Sequence, residues 1–157
     1  MSIRKAETND IPGIAELAEQ RRLQYQHYQP QFWRKAEDAQ EKHTFLLESL
    51  LKREDVIMLV HEESTRAIDG FIIADFVEAP PVYNPGGPTC RVDDFCVASG
   101  NLWESTGLEL LNEVIRKAKE HGAAQSVVVF GHLDQPKRTL LDQMGYSIAS
   151  EWYVHNL

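Results

Sequence analysis

Arg91-Val92-Asp93-Asp94-Phe95-Cys96-Val97, followed by Ser99-Gly100-Asn101 and a helix opening near Gly107, is the stretch on which the fold turns. Val92, Phe95 and Val97 mark a buried strand, yet two adjacent carboxylates stand inside it. Desolvating a carboxylate costs several kcal/mol unless it is paired, hydrogen-bonded or protonated. The pair is therefore a functional charge, or the solvated start of the strand, or one carboxylate pairs with Arg91. By the two-residue period of a strand, Asp93 shares a face with Phe95 and Val97, and Asp94 points to the opposite face. The same period places Cys90 and Cys96 on one face, roughly 20 Å apart, too far to bridge.

Downstream, Leu110, Leu111, Val114, Ile115 and Ala118 line one side of a helix from about Ser105 to Glu120, and Gly122 stops it. The valines of Gln125 to Phe130 predict a strand covered on both faces, reached by a crossover and so parallel to its neighbour. Asp134 caps a helix from about Gln135 to Met144, Gly145 ends it, and Tyr146 to His155 reads as a last strand.

Upstream, Ile3 to Ala6 is a short strand, and Thr8 or Asn9 with Pro12 starts a helix running to about Gln24. Its apolar residues recur at helical spacing, while Glu16, Glu19, Arg21 and Arg22 form a solvated face. Gln24 to Arg34 reads as a loop carrying Tyr25, Tyr28, Phe32 and Trp33, with Pro30 as breaker. These rings either cap the core or wall an acceptor pocket. A second helix spans Ala36 to Lys52 with Phe45, Leu46, Leu50 and Leu51 inward. Val56 to His61 and Ile68 to Val77 form a hairpin, and the prolines and glycines of Glu78 to Pro88 make a loop. The order predicts an α/β (mixed α+β) domain over residues 1–157, with a central mixed sheet of six to seven strands covered by helices on both faces.

Composition narrows the partners. A net charge of -8 argues against nucleic acid, which needs a basic stripe, and favours neutral or cationic small molecules. The six histidines are scattered and no metal-ligand spacing occurs, so no metal is expected. The chain has no apolar run long enough to span a membrane and no basic-then-hydrophobic leader, so the expected compartment is the cytoplasm.

Element order and motifs together resemble the GNAT superfamily of acyl-CoA-dependent N-acetyltransferases over essentially the whole chain. Asp93-Asp94-Phe95-Cys96-Val97 is similar to the acidic-acidic-aromatic-x-Val strand of its polyamine and thialysine acetyltransferases. Gly107 with Leu110-Leu111 takes the place of the last glycine and paired leucines of the pyrophosphate-binding motif. Leu140-Leu141-Asp142-Gln143-Met144-Gly145-Tyr146 resembles the closing helix.

The resemblance implies acetyl-CoA as cosubstrate, with the pantetheine arm along Phe95 and Val97 and a cradle of Leu102, Trp103, Ser105, Thr106 and Gly107 at a helix N-terminus, where free N–H groups and the dipole favour phosphate. It implies Asp93 as the base toward a primary amine, direct attack in a ternary complex, and a tendency to dimerise. Tyr25, Tyr28 and Trp33, with Asp93, are the candidate acceptor-binding residues. Three positions depart from the family: its basic or glutamine residue falls on Leu102, a glycine on Ser105, and its general-acid tyrosine on Leu141. The asparagine that precedes that tyrosine falls on Asp134. Trp103 either packs on the surface beside the loop or lies along the cofactor, and His132 is a spare acid. A non-catalytic domain of this fold, binding acyl-CoA or a protein partner, is the alternative.

Overall fold

The computed structural model describes residues 2–157. Its sheet has five strands in spatial order β1 to β5: Ser2–Lys5, Ile57–Glu62, Ile68–Val77, Thr89–Val97 and Gln125–Val128. The first four run antiparallel, β1 joined to β2 through two helices and the rest by a hairpin and a loop; β5 lies parallel to β4, which requires the crossover through α3. Helices α1 (Ile11–Tyr28) and α2 (Ala39–Leu51) cover one face, and α3 (Leu108–Glu120) and α4 (Gln135–Gln143) the other.

Each face has its own core, built from alternate residues of the strands. Met58, Val60, Phe71, Ile73 and Cys96 meet Ile14, Leu17, Ala18 and Leu47 under α1 and α2. Leu59, Ile72, Ala74, Cys90, Val92 and Phe95 meet Leu110, Leu111, Val114 and Leu140 under α3 and α4. A fully buried Leu, Ile, Val or Phe contributes about 1.5–3 kcal/mol, so these two layers dominate the stability.

Several expectations are corrected. Helix α1 continues to Tyr28, one turn past the expected end, so Tyr25 and Tyr28 are helical and only Gln29 onward is loop. On α2 the buried positions are His43 and Leu47, whereas Phe45 is 64% exposed and Leu46 faces solvent as well. The core stripe of that helix runs through His43, Leu47, Leu50 and Leu51, so the inward placement of Leu50 and Leu51 holds and that of Phe45 and Leu46 does not. Among the described residues no sixth or seventh strand forms. Residues 147–157 have no ladder partner; Trp152 is 84% and Tyr153 91% exposed. Strand β5 ends at Val128, is only partly buried and forms an edge.

Candidate functional site

Strand β4 does not keep a strict two-residue alternation. Against β3, Val92 pairs with Ala74 and Asp94 with Ile73, leaving Asp93 as the extra residue of a bulge. Val92 and Phe95, three positions apart, consequently lie in the same core, while Cys96 joins the other. The expectation that Cys90 and Cys96 share a face fails for this reason, whereas Asp94 lies, as expected, on the opposite face from Phe95 and Val97. Both cysteines are buried and free.

The bulge also marks where β4 and β5 part. Their ladder runs from Thr89 and Gln125 to Val92 and Val128, and its last rung is Val129 N–H to the Val92 carbonyl at 3.0 Å. Beyond it the Phe95 carbonyl faces a splay between the strands, and Val97, two residues on, presents its backbone the same way. Ala98 N–H turns instead to Asp69 on the β3 side, at 2.7 Å.

Lys137 of α4 fills that splay. Its side chain is 1% exposed, and Nζ donates to the Phe95 carbonyl at 2.8 Å and to Tyr25 Oη at 3.3 Å. The Asp134 carboxylate lies 3.8 Å away. Around the ammonium stand the rings of Trp103 at 4.9 Å, Phe95 at 5.6 Å, and Tyr25 and Phe130 at 5.8 Å. Burial pulls the Lys137 ammonium down to about 8, against the pull of Cys96, Asp134 and Asp94 in the other direction. Tyr25 donates to Asp134 Oδ2 at 2.7 Å; burial and that carboxylate push its phenol well above the ordinary value. Asp134 thus spends its side chain on Tyr25 and makes no cap bond to α4, contrary to expectation. Gly131 is where the Tyr25 ring packs on the backbone: a Cβ there would meet Cε2 at 3.1 Å.

On the opposite face of β4 sits a second buried charge cluster. Arg21 Nη1 lies 2.6 Å from Asp94 Oδ1, and His43 Nε2 3.0 Å from Oδ2. Burial raises the Asp94 carboxyl, but Arg21 and His43 outweigh it and hold the group below the usual carboxylate range. Arg21 therefore does not belong to a solvated face, and Arg91 pairs with Asp75, at 2.6 Å, rather than with either carboxylate of its own strand. Asp93 is exposed and makes no hydrogen bond or ion pair among the described residues.

The loop expected to cradle phosphate is wound up. A helical run starts at Gly100 with Ser99 as its cap residue, passes through a π turn at Trp103–Gly107 and becomes α3. Leu102 is half-buried and Ser105 exposed. Thr106 is buried, its hydroxyl 3.2 Å from Asp69, which in turn holds His61 Nδ1 at 2.6 Å. Trp103 is neither on the surface nor open along a cleft: it is 7% exposed and packs edge-on to Phe95 at 4.8 Å between centroids. Gly107 permits this, since a Cβ there would meet the indole at 2.7 Å.

The architecture can be compared with solved structures. A mutant of the BH1408 protein from Bacillus halodurans matches with a TM-score of 0.88 at 17% identity, covering 100% of this chain and 99% of that one. A predicted acetyltransferase from Clostridium acetobutylicum, solved with acetyl-CoA, matches at 0.76 and 18%, covering 99% and 95%. The aminoglycoside 6'-N-acetyltransferase of Acinetobacter haemolyticus matches at 0.74 and 11%, covering 100% and 98%. The chain has the GNAT fold. No protein-family model and no curated protein matches it.

The Phe95 carbonyl is a buried acceptor whose partner is the tip of a flexible side chain, and aromatic walls surround it. The helical run after β4 opens at Gly100 and Asn101; residues 98–108 contain no cation and include the exposed Glu104. Tyr25 packs 5.8 Å from Tyr28 and 5.4 Å from Trp33, so the structure joins these three rings to Asp134 and Lys137 in one cluster. Asp93 is linked to that cluster by no hydrogen bond. His132 is exposed in the β5–α4 connection. Lys137, Arg21 and His43 escape sequence analysis because each is a polar residue that reads as solvated. The one available signal was spacing, since Lys137 stands one turn before Leu141 on the same helix face.

Proposed function

We propose that this GNAT-like domain, residues 1–157, is a cytoplasmic acyl-CoA-dependent N-acetyltransferase acting on a primary amine of a small molecule or peptide. The observation that carries the reading is the splay of β4 from β5 directly after the bulge, with the Phe95 carbonyl and the Val97 backbone turned into it. Acetyl-CoA, when bound, supplies the activated acyl carbon. Phe95 and Val97 then orient the arm, and the Val97 N–H is placed to stabilise a developing oxyanion. Leu102, Trp103, Ser105, Thr106 and Gly107 shape the entrance to this cleft, and Asp134 steadies Tyr25 at its wall.

Asp93 serves as base. An alkylammonium has a pKa near 10 and has to lose a proton before it attacks. Asp93 is the free carboxylate of the pair, since Asp94 is committed to Arg21 and His43. Tyr25, Tyr28 and Trp33 form the acceptor wall, and the net charge of -8 favours a cationic acceptor.

A second reading has its own observation. Lys137 on the Phe95 carbonyl and Trp103 folded inward favour a non-catalytic domain of this fold. Thermal melting separates the two: acetyl-CoA at a hundredfold its Kd stabilises by about 2.7 kcal/mol. A melting shift followed by thiol release with polyamines, aminoglycosides, amino acids or peptide N-termini supports the enzyme. No shift at millimolar acetyl-CoA rejects it, and full activity in Asp93→Asn rejects the base.

The unpaired segment 147–157 supports a homodimer. Its strand-like alternation of Ile148, Trp152 and Val154 has no ladder in its own chain, and the β5 edge carries no guarding charge. Sedimentation of a chain ending at Tyr146 tests this: an unchanged dimer, or a monomeric full-length chain, excludes the arm as the contact.

A further inference from the structure

We infer that Lys137 is the proton donor to the departing sulfur, filling the part for which this chain has leucine at position 141. The inference rests on the acetyl-transfer reading above and concerns the same splay. Lys137 and Leu141 are four residues apart on α4, on one face of the helix, and both are buried. The long lysine chain carries Nζ from that face into the gap between β4 and β5, to the Phe95 carbonyl. The buried hydroxyl at the splay, that of Tyr25, already donates its hydrogen bond to Asp134. His132 lies outside on the loop.

The charged and titratable groups around Nζ are Arg21 and Tyr25 from α1, Asp94 and Cys96 from β4, and Asp134 at the start of α4. Together with burial they leave the ammonium near 8, close to the ordinary value of a thiol, about 8.5. Proton transfer between such matched partners is efficient. Four rotatable side-chain bonds and a single short hydrogen bond let the ammonium leave the Phe95 carbonyl when an acyl arm takes its place.

The step balances. The amine lone pair forms the C–N bond at the thioester carbon, the C–S electron pair passes to sulfur, and the Nζ proton converts the thiolate to a thiol. The proton released by the amine goes to Asp93 or water, and solvent reprotonates Lys137.

Two measurements on the full chain decide the matter. In protein labelled with 13C at lysine Cε, the resonance missing from Lys137→Met should titrate near pH 8. It should move with both CoA and desulfo-CoA, since either arm displaces Nζ from the Phe95 carbonyl, and move further with CoA, whose sulfur it then faces. In kinetics, the wild-type rate should fall as pH rises through that value. Lys137→Met should lose this alkaline limb and on the order of 100-fold in rate, and Lys137→Arg should shift the limb upward. Equal responses to CoA and desulfo-CoA, or an alkaline limb that survives in Lys137→Met, overturn the proton-donor role and leave acetyl transfer standing. If CoA moves no resonance at all, both readings fall together.

Discussion

Two charged clusters flank β4, and they are built to opposite ends. On the α1/α2 side, Asp94 is gripped by Arg21 and His43 from two helices. On the α3/α4 side, Lys137 has one backbone carbonyl at hydrogen-bond distance, a phenol at 3.3 Å and a carboxylate at 3.8 Å. A buried charge with close partners on two elements joins those elements; a buried charge with a single good partner, in a gap between strands, is free to exchange that partner. The first cluster belongs to stability and the second to the proposed site.

The largest expected effect breaks the first cluster. Asp94→Ala leaves Arg21 and His43 without their counter-charge and should cost about 3–5 kcal/mol in urea unfolding. Because the folded-state value of Asp94 is depressed, its contribution is present above the unfolded carboxylate value of about 3.9 and is lost as pH falls through the folded value. The wild-type advantage over the variant should therefore shrink in acid; an advantage independent of pH would make Asp94 a packing residue only.

Lys137 should give a signature of the other sign. Its folded value of about 8 lies below the unfolded 10.5, so the unfolded chain binds the proton more tightly between the two. Wild-type stability should rise by about 3 kcal/mol as pH increases from 8 to 10.5, and Lys137→Met should lack that rise. Parallel pH curves for the two proteins would mean that the ammonium is better solvated than its position implies.

The smallest expected effect sharpens the contrast within the carboxylate pair. Asp93→Asn, at an exposed bulge position without partners, should change stability by no more than about 0.5 kcal/mol. A loss comparable to that of Asp94→Ala would show that the two neighbours share one structural role.

Much of the fold was legible along the chain. The hairpin of β2 and β3, the parallel strand after a crossover helix, and the stop at Gly145, whose φ is 83°, each had a local signal. The site was legible only in part. Asp93 and Asp94 advertised themselves as charges in an apolar strand, but the partners that commit Asp94, Arg21 and His43, lie on two distant helices. The aromatic residues Tyr25, Tyr28 and Trp33 were correctly grouped as neighbours, yet their association with Asp134 and Lys137 crosses more than a hundred residues of sequence.

Sequence by itself determined most of the helices and strands and their order, the expected last strand and the helical run before α3 excepted, because periodicity and turn chemistry act over a few residues. Tertiary structure alone decided which carboxylate is paired, that Trp103 folds onto Phe95, and that a lysine of the closing helix enters the splay. Desolvation and pairing depend on what other elements bring within a few ångströms, and no local pattern records that.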